Sequence, residues 1–219
     1  MSTLAPALRK DAERNRQRLL AAARELFAQR GLGVTLNDIA HHAGVGVGTA
    51  YRRFANKGEL MDALFDKQVE EISILADTAL ADPDPWHALV WYLEEVMALQ
   101  AKDRGIAHIV SGSKARAAQH DWARDVLAPK VVAITERAKH SGDLRPDVAG
   151  TDLVFLQVGL LAIVDRARDA SPELYRRYLQ IFLDGLRAHP TRPSRLEVDP
   201  LTVDQTHQVM GPPQLVSPS

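Results

Sequence analysis

The stretch Thr35-Leu-Asn-Asp-Ile-Ala-His-His-Ala-Gly44-Val-Gly-Val-Gly-Thr-Ala-Tyr-Arg-Arg-Phe54-Ala-Asn-Lys57 decides the fold. Thr35 followed by Asp38 has the pattern of a capping box, in which the hydroxyl covers a free backbone N–H and the carboxylate sits at the positive end of the helix dipole. A helix therefore starts here, with Ile39, Ala40 and Ala43 as its inner face. Gly44 supplies the left-handed backbone that lets the next helix turn away sharply. In that second helix Val47, Ala50, Tyr51 and Phe54 fall at i, i+3, i+4 and i+7 and are expected to pack, while Gly48, Thr49, Arg52 and Arg53 form the opposite stripe. Two short helices joined by a glycine turn, the second with one apolar and one polar face, make a helix-turn-helix. Gly46 opens the second helix, an acceptable N-cap at a cost of a few tenths of a kcal/mol.

Helical periodicity continues outward in both directions. Upstream, a helix is expected from Asp11 as N-cap to Arg30, with Leu19, Leu20, Ala23, Leu26 and Phe27 as its apolar stripe, and Gly31 and Gly33 ending it. Arg9, Lys10, Arg14, Arg16 and Arg18 crowd its start. Downstream, a longer helix runs from near Lys57 through Leu60, Leu64, Val69, Ile72 and Leu75 until Asp82-Pro83-Asp84-Pro85 breaks it. Further helices are expected over about 86–102, 104–118, 121–140, 151–169 and 172–188, with Pro129 kinking or restarting the one over 121–140. Alternating apolar runs and internal repeats are missing. The chain is thus expected to be all-α, with a three-helix helix-turn-helix domain over 1–60, including a basic N-terminal arm, and a helical regulatory and dimerisation bundle over 61–188. Residues 189–219 carry 6 of the 12 prolines and no sustained apolar period, so a disordered tail is expected there.

Composition removes several classes of function. With no cysteine among 219 residues there is no disulfide framework, thiolate nucleophile or cysteine-based zinc site. His41 and His42 fail as a chelating pair because adjacent helical residues diverge by about 100°. No His-x-x-x-His, glycine-rich phosphate loop or nucleophile elbow occurs, so neither metal nor cofactor is expected, nor an enzyme. The longest apolar stretch, Leu153 to Val164, spans 12 residues and is interrupted by Gln157, against about 20 for a membrane span. A soluble, cytoplasmic protein with no membrane partner is expected. The net charge of −1 hides an asymmetry: residues 1–60 hold 10 Lys/Arg against 5 Asp/Glu, leaving 17 against 23 for the remainder. The basic end is where a polyanion would bind.

The polar stripe of the second helix suits DNA. Gly48 allows close backbone approach, Thr49 offers a hydroxyl to phosphate or a methyl to thymine, and an arginine can fork onto a guanine edge. Arg52 and Arg53 point about 100° apart, so one of the two is expected to reach bases. The segment resembles the DNA-binding domain of the TetR family, whose pattern is met by Ile39-Ala40, Ala43-Gly44-Val45, Gly48-Thr49, Tyr51-Arg-Arg-Phe54 and Lys57. That resemblance covers roughly residues 14–65. It implies phosphate contacts from Thr35, Tyr51 and Lys57, and positions at or near bases for Asn37, Val47, Gly48, Thr49 and the Arg52-Arg53 pair. Val47 is placed on the packing face by periodicity and at the groove by the resemblance.

A single reading head gives modest specificity, so a homodimer on a palindromic operator is expected. The helix over 151–169, apolar nearly all round, and the helix over 172–188 are the candidate interface, through Leu153, Leu156, Leu160, Val164, Tyr178 and Phe182. The resemblance likewise implies a four-helix interface from the last two helices. It also implies a small-molecule effector that releases a repressor from its operator, and Trp91, Met97, His108, Trp122 and Phe155 are the large groups placed to line its site. The rival reading is a helical adaptor or an enzyme without a DNA role, against which the Gly48, Thr49, Arg52 and Arg53 face argues.

Overall fold

The computed structural model describes residues 4–102, 117–188 and 200–210. Helix α1 spans Leu4–Arg30, beginning earlier than the sequence suggests. Pro6 does not prevent this, because in the first helical turn its missing N–H has no partner to lose. Asp11 consequently lies inside the helix and pairs with Arg14 one turn on, and is not an N-cap. The expected stripe of Leu19, Leu20, Ala23, Leu26 and Phe27 is buried. A 3-10 turn over Gly31–Gly33 ends the helix, with Gly31 at φ 69°.

Helices α2 (Leu36–His42) and α3 (Val47–Arg53) follow. Between them Gly44 takes φ 59°, a left-handed backbone that other residues rarely adopt, and a Cβ there would sit 3.0 Å from Arg18 Nη2, so the end of that side chain would have to give way. Helix α4 covers Lys57–Ala81. Its start is capped by the Asn56 side-chain oxygen, which accepts from the Glu59 N–H at 3.0 Å, while the Glu59 carboxylate accepts from the Ala55 N–H at 2.8 Å. Leu19, Leu26, Ile39, Ala40, Ala50, Phe54, Leu60 and Leu64 meet in one apolar core.

Contacts among the described residues separate this N-terminal unit from a second between Gln68 and Val69, within α4 and later than the expected 60/61. The second unit holds the rest of α4, then α5 (Pro85–Lys102), α6 (Ala117–His140), α7 (Gly150–Ala167), α8 (Leu174–Leu186) and α9 (Val203–Met210). Its core gathers Ile72 and Ala76 with Leu89, Leu93, Val96, Ile134, Leu153, Leu160, Tyr175 and Leu179. Arg137 on α6 donates to the carbonyls of Ala79, Leu80 and Asp82, closing the end of α4 where helical carbonyls run out of partners. Gly150 lets α7 start hard against α6: a Cβ there would sit 3.3 Å from the Val132 backbone.

Pro129 lies inside α6 and does not restart it, because Leu127, Val131, Ile134 and Ala138 pack both flanks into the core. The helix expected over 104–118 lies outside the described residues, save its last two, which open α6. The segment expected to be a disordered tail carries α9. Thr206 of α9 is buried, and the Thr151 hydroxyl donates to the Leu201 carbonyl at 2.7 Å. A short amphipathic helix borrowing an existing surface needs no long apolar period of its own. Among the described residues strand pairing is limited to one isolated bridge, Leu144 with Arg187, and no helix is long and apolar enough to cross a membrane.

Candidate nucleic-acid interface

The capping box at α2 forms as its spacing requires. Asp38 N–H donates to Thr35 Oγ1 at 3.2 Å and Thr35 N–H donates to Asp38 Oδ2 at 2.9 Å. The Thr35 hydroxyl and then its N–H hold the Asp38 carboxyl below the usual carboxylate range. Helix α3 has no side-chain cap; the Gly46 carbonyl accepts from Thr49 N–H and Ala50 N–H at 2.8 and 3.0 Å. Ala50 and Phe54 anchor α3 in the core, and half-buried Val47 packs against it.

Tyr51 does not join them. It is 47% exposed, which corrects its placement on the packing face and leaves its hydroxyl free to meet a phosphate. A two-turn helix has room for few fully buried positions, and here Ala50 takes that place, with Phe54 buried just past the helix end. Thr35, Asn37, Gly48, Arg52 and Arg53 are exposed as well, and Thr49 is half-buried. A Cβ at Gly48 would meet nothing within 4 Å, so the α3 backbone is open to close approach.

The two arginines part company. Arg52 Nη2 donates to Thr49 Oγ1 at 3.1 Å, keeping it on the exposed stripe of α3. Arg53 Nη2 donates to Glu13 Oε2 on α1 at 3.1 Å. Lys57, half-buried, donates to the Leu32 carbonyl at 2.5 Å, which orients its ammonium while two further donors remain. His42 meets Glu25 at 2.7 Å, a bond between α2 and α1 that the sequence reading did not find because the partners are 17 residues apart. Among the described residues no group of three or more His, Asp or Glu is placed to hold a metal ion.

In the second unit the expected interface residues fall into two sets. Leu153, Leu160 and Val164 are buried in the unit's own core, and half-buried Leu156 packs against it. The first three therefore leave little uncovered surface within a single chain. Tyr178 and Phe182 are exposed, together with Val158 and Ile181, the latter 52% exposed. Gly159 and Gly185 on the same faces have open space above them. Of the expected effector contacts, Met97 is fully buried, Trp91 and Phe155 are half-buried, Trp122 is 42% exposed, and His108 lies outside the described residues.

Residues 19–64 match the family model described as bacterial regulatory proteins, tetR family, and residues 84–188 match that of the transcriptional regulator SbtR-like C-terminal domain. The crystal structure of a TetR transcription regulatory protein from Mycobacterium vanbaalenii is 31% identical, covers 82% of this chain and 99% of that one, and superposes with a TM-score of 0.62. A TetR transcriptional regulator from Streptomyces coelicolor is 28% identical over 79% of this chain and 98% of its own, with a TM-score of 0.61. An HTH-type transcriptional regulator of Staphylococcus aureus strain MRSA252 is 40% identical over 81 residues, 36% of this chain. The match spans 42% of that curated relative's length. The N-terminal match falls on the capped α2, the glycine turn and the exposed α3 stripe, and the solved relatives extend the likeness through the helical second unit; the chain belongs to the TetR family of transcriptional regulators.

Proposed function

We propose that two copies of this chain bind a palindromic operator through α3 and repress transcription until a small-molecule effector releases them. The observation that carries the DNA reading is the stripe of exposed Gly48 and Arg52 with half-buried Thr49 on a helix whose opposite side is locked by Ala50 and by Phe54 just past its end. Arg52 is the arginine we assign to bases, with Asn37, Val47, Gly48 and Thr49 beside it. Thr35, Tyr51 and Lys57 are assigned to phosphates, which position the head without reading sequence. The protein would act on DNA in the cytoplasm.

The homodimer is supported by an apolar face that stands exposed among the described residues. Val158 with Gly159 on α7, and Tyr178, Ile181 and Phe182 on α8, recur at helical spacing. A two-fold axis through this face would make an isologous four-helix contact, and a palindromic operator asks for two reading heads about 34–36 Å or a multiple apart. For the effector we assign Trp91, Met97, Trp122 and Phe155 of the second unit, of which Met97 is fully buried and Trp91 and Phe155 are half-buried.

Enrichment of a random-sequence duplex pool on the purified chain, followed by footprinting, tests the reading. A two-fold symmetric consensus is expected. Arg52→Ala should weaken the enriched duplex by about 1–3 kcal/mol and relax preference at one base pair in each half-site. Unchanged affinity would remove Arg52 from the reading face.

A further inference from the structure

We propose that Glu13 is a positioning residue for DNA recognition: it holds Arg53 against α1 and thereby sets sequence selectivity against non-specific grip. The inference rests on α3 being the recognition helix. Arg53, the last residue of α3, donates to Glu13 Oε2 at 3.1 Å across 40 residues of sequence. The other Glu13 oxygen accepts from Gln17 Nε2 at 2.7 Å, and Gln17 Oε1 accepts from Lys67 Nζ of α4 at 3.1 Å. Arg16 adds a cation 3.8 Å away. Arg53, Glu13, Gln17 and Lys67 thus form a polar row that runs from α3 over α1 to α4.

Gln17 first, then Arg16 and Arg53, hold the Glu13 carboxyl below the usual carboxylate range, so it stays anionic at neutral pH. Its effect on recognition follows from which contacts carry sequence information. A free arginine beside the groove is drawn to any phosphate and strengthens all duplexes alike. An arginine whose charge is met by a carboxylate adds little to that uniform attraction. Arg52, bonded within its own helix to Thr49, keeps its charge for base edges. Neutralising one adjacent cation and leaving the other raises the ratio of specific to non-specific binding without any new base contact.

The test compares the wild type, Glu13→Gln, Arg53→Ala and the double variant on two probes over a range of salt: the duplex enriched by the wild type and the unselected random-sequence pool. Glu13→Gln should tighten binding to the unselected pool and steepen its log-affinity against log-salt slope by roughly 0.9, as one more phosphate contact would. The ratio of the two affinities should fall. In the Arg53→Ala background the same change should leave the slope nearly as it was. An equal effect in both backgrounds would reduce Glu13 to a nearby charge, and no effect in either would remove its role; both outcomes overturn the proposal. If the wild type enriches no sequence, or Arg52→Ala leaves the enriched duplex bound as before, the reading of α3 falls and this inference with it. A working operator with a silent Glu13→Gln overturns the Glu13 assignment alone.

Discussion

Thr35 serves two purposes whose consequences can be separated by mutation. As an N-cap it satisfies a backbone donor of α2, so Thr35→Ala should cost about 1 kcal/mol in a urea unfolding experiment. The same change should let the Asp38 carboxyl titrate upward by NMR. Because that group sits below its ordinary value in the folded chain, the stabilisation it reports is present at neutral pH and is lost as pH falls through the folded value. Lys57→Ala should weaken all duplexes alike and flatten the salt slope by roughly 0.9. The cap was legible in advance because it depends on residues three apart. The pairing of Arg53 with Glu13 was not, since nothing local joins positions 40 residues distant, and the two arginines looked equivalent until α1 was placed beside them.

Helices α7 and α8 show what an apolar pattern does and does not say. The Leu153 to Val164 run announces a helix covered on most sides, but periodicity does not tell whether the cover is the same chain or a second copy. Leu160 faces inward and Ile181 outward, so two substitutions should behave oppositely. Ile181→Glu should give folded monomers by light scattering, since it charges an exposed patch. Leu160→Asp should unfold the second unit by circular dichroism, because it buries a carboxylate without a partner. A dimer that survives Ile181→Glu would place the interface elsewhere. Helix ends were legible only where the signal is local: Asp82 to Pro85 breaks the chain where expected, whereas α1 begins before Asp11 and α6 runs past Pro129, held by packing on both sides.

For the molecule as a whole, the all-α class and the helix-turn-helix could be read from capping, turn chemistry and face segregation, each a local signal that agreed with the others. The C-terminal segment could not, since α9 draws its order from the helices it lies on. Its Thr206 hydroxyl is buried without a partner among the described residues. Thr206→Val, which keeps the shape and removes the orphan donor, should leave the thermal midpoint unchanged or raise it. The placement of α9 also carries a consequence for the order of events during synthesis. Eight residues are too few to hold a helix alone in water, and they leave the ribosome after α6 and α7. The bundle must therefore form first and acquire α9 as a late addition. Among the described residues of the second unit its amides should then be the earliest to exchange with deuterated solvent, ahead of those around Leu160, because undocking one short helix opens the least surface.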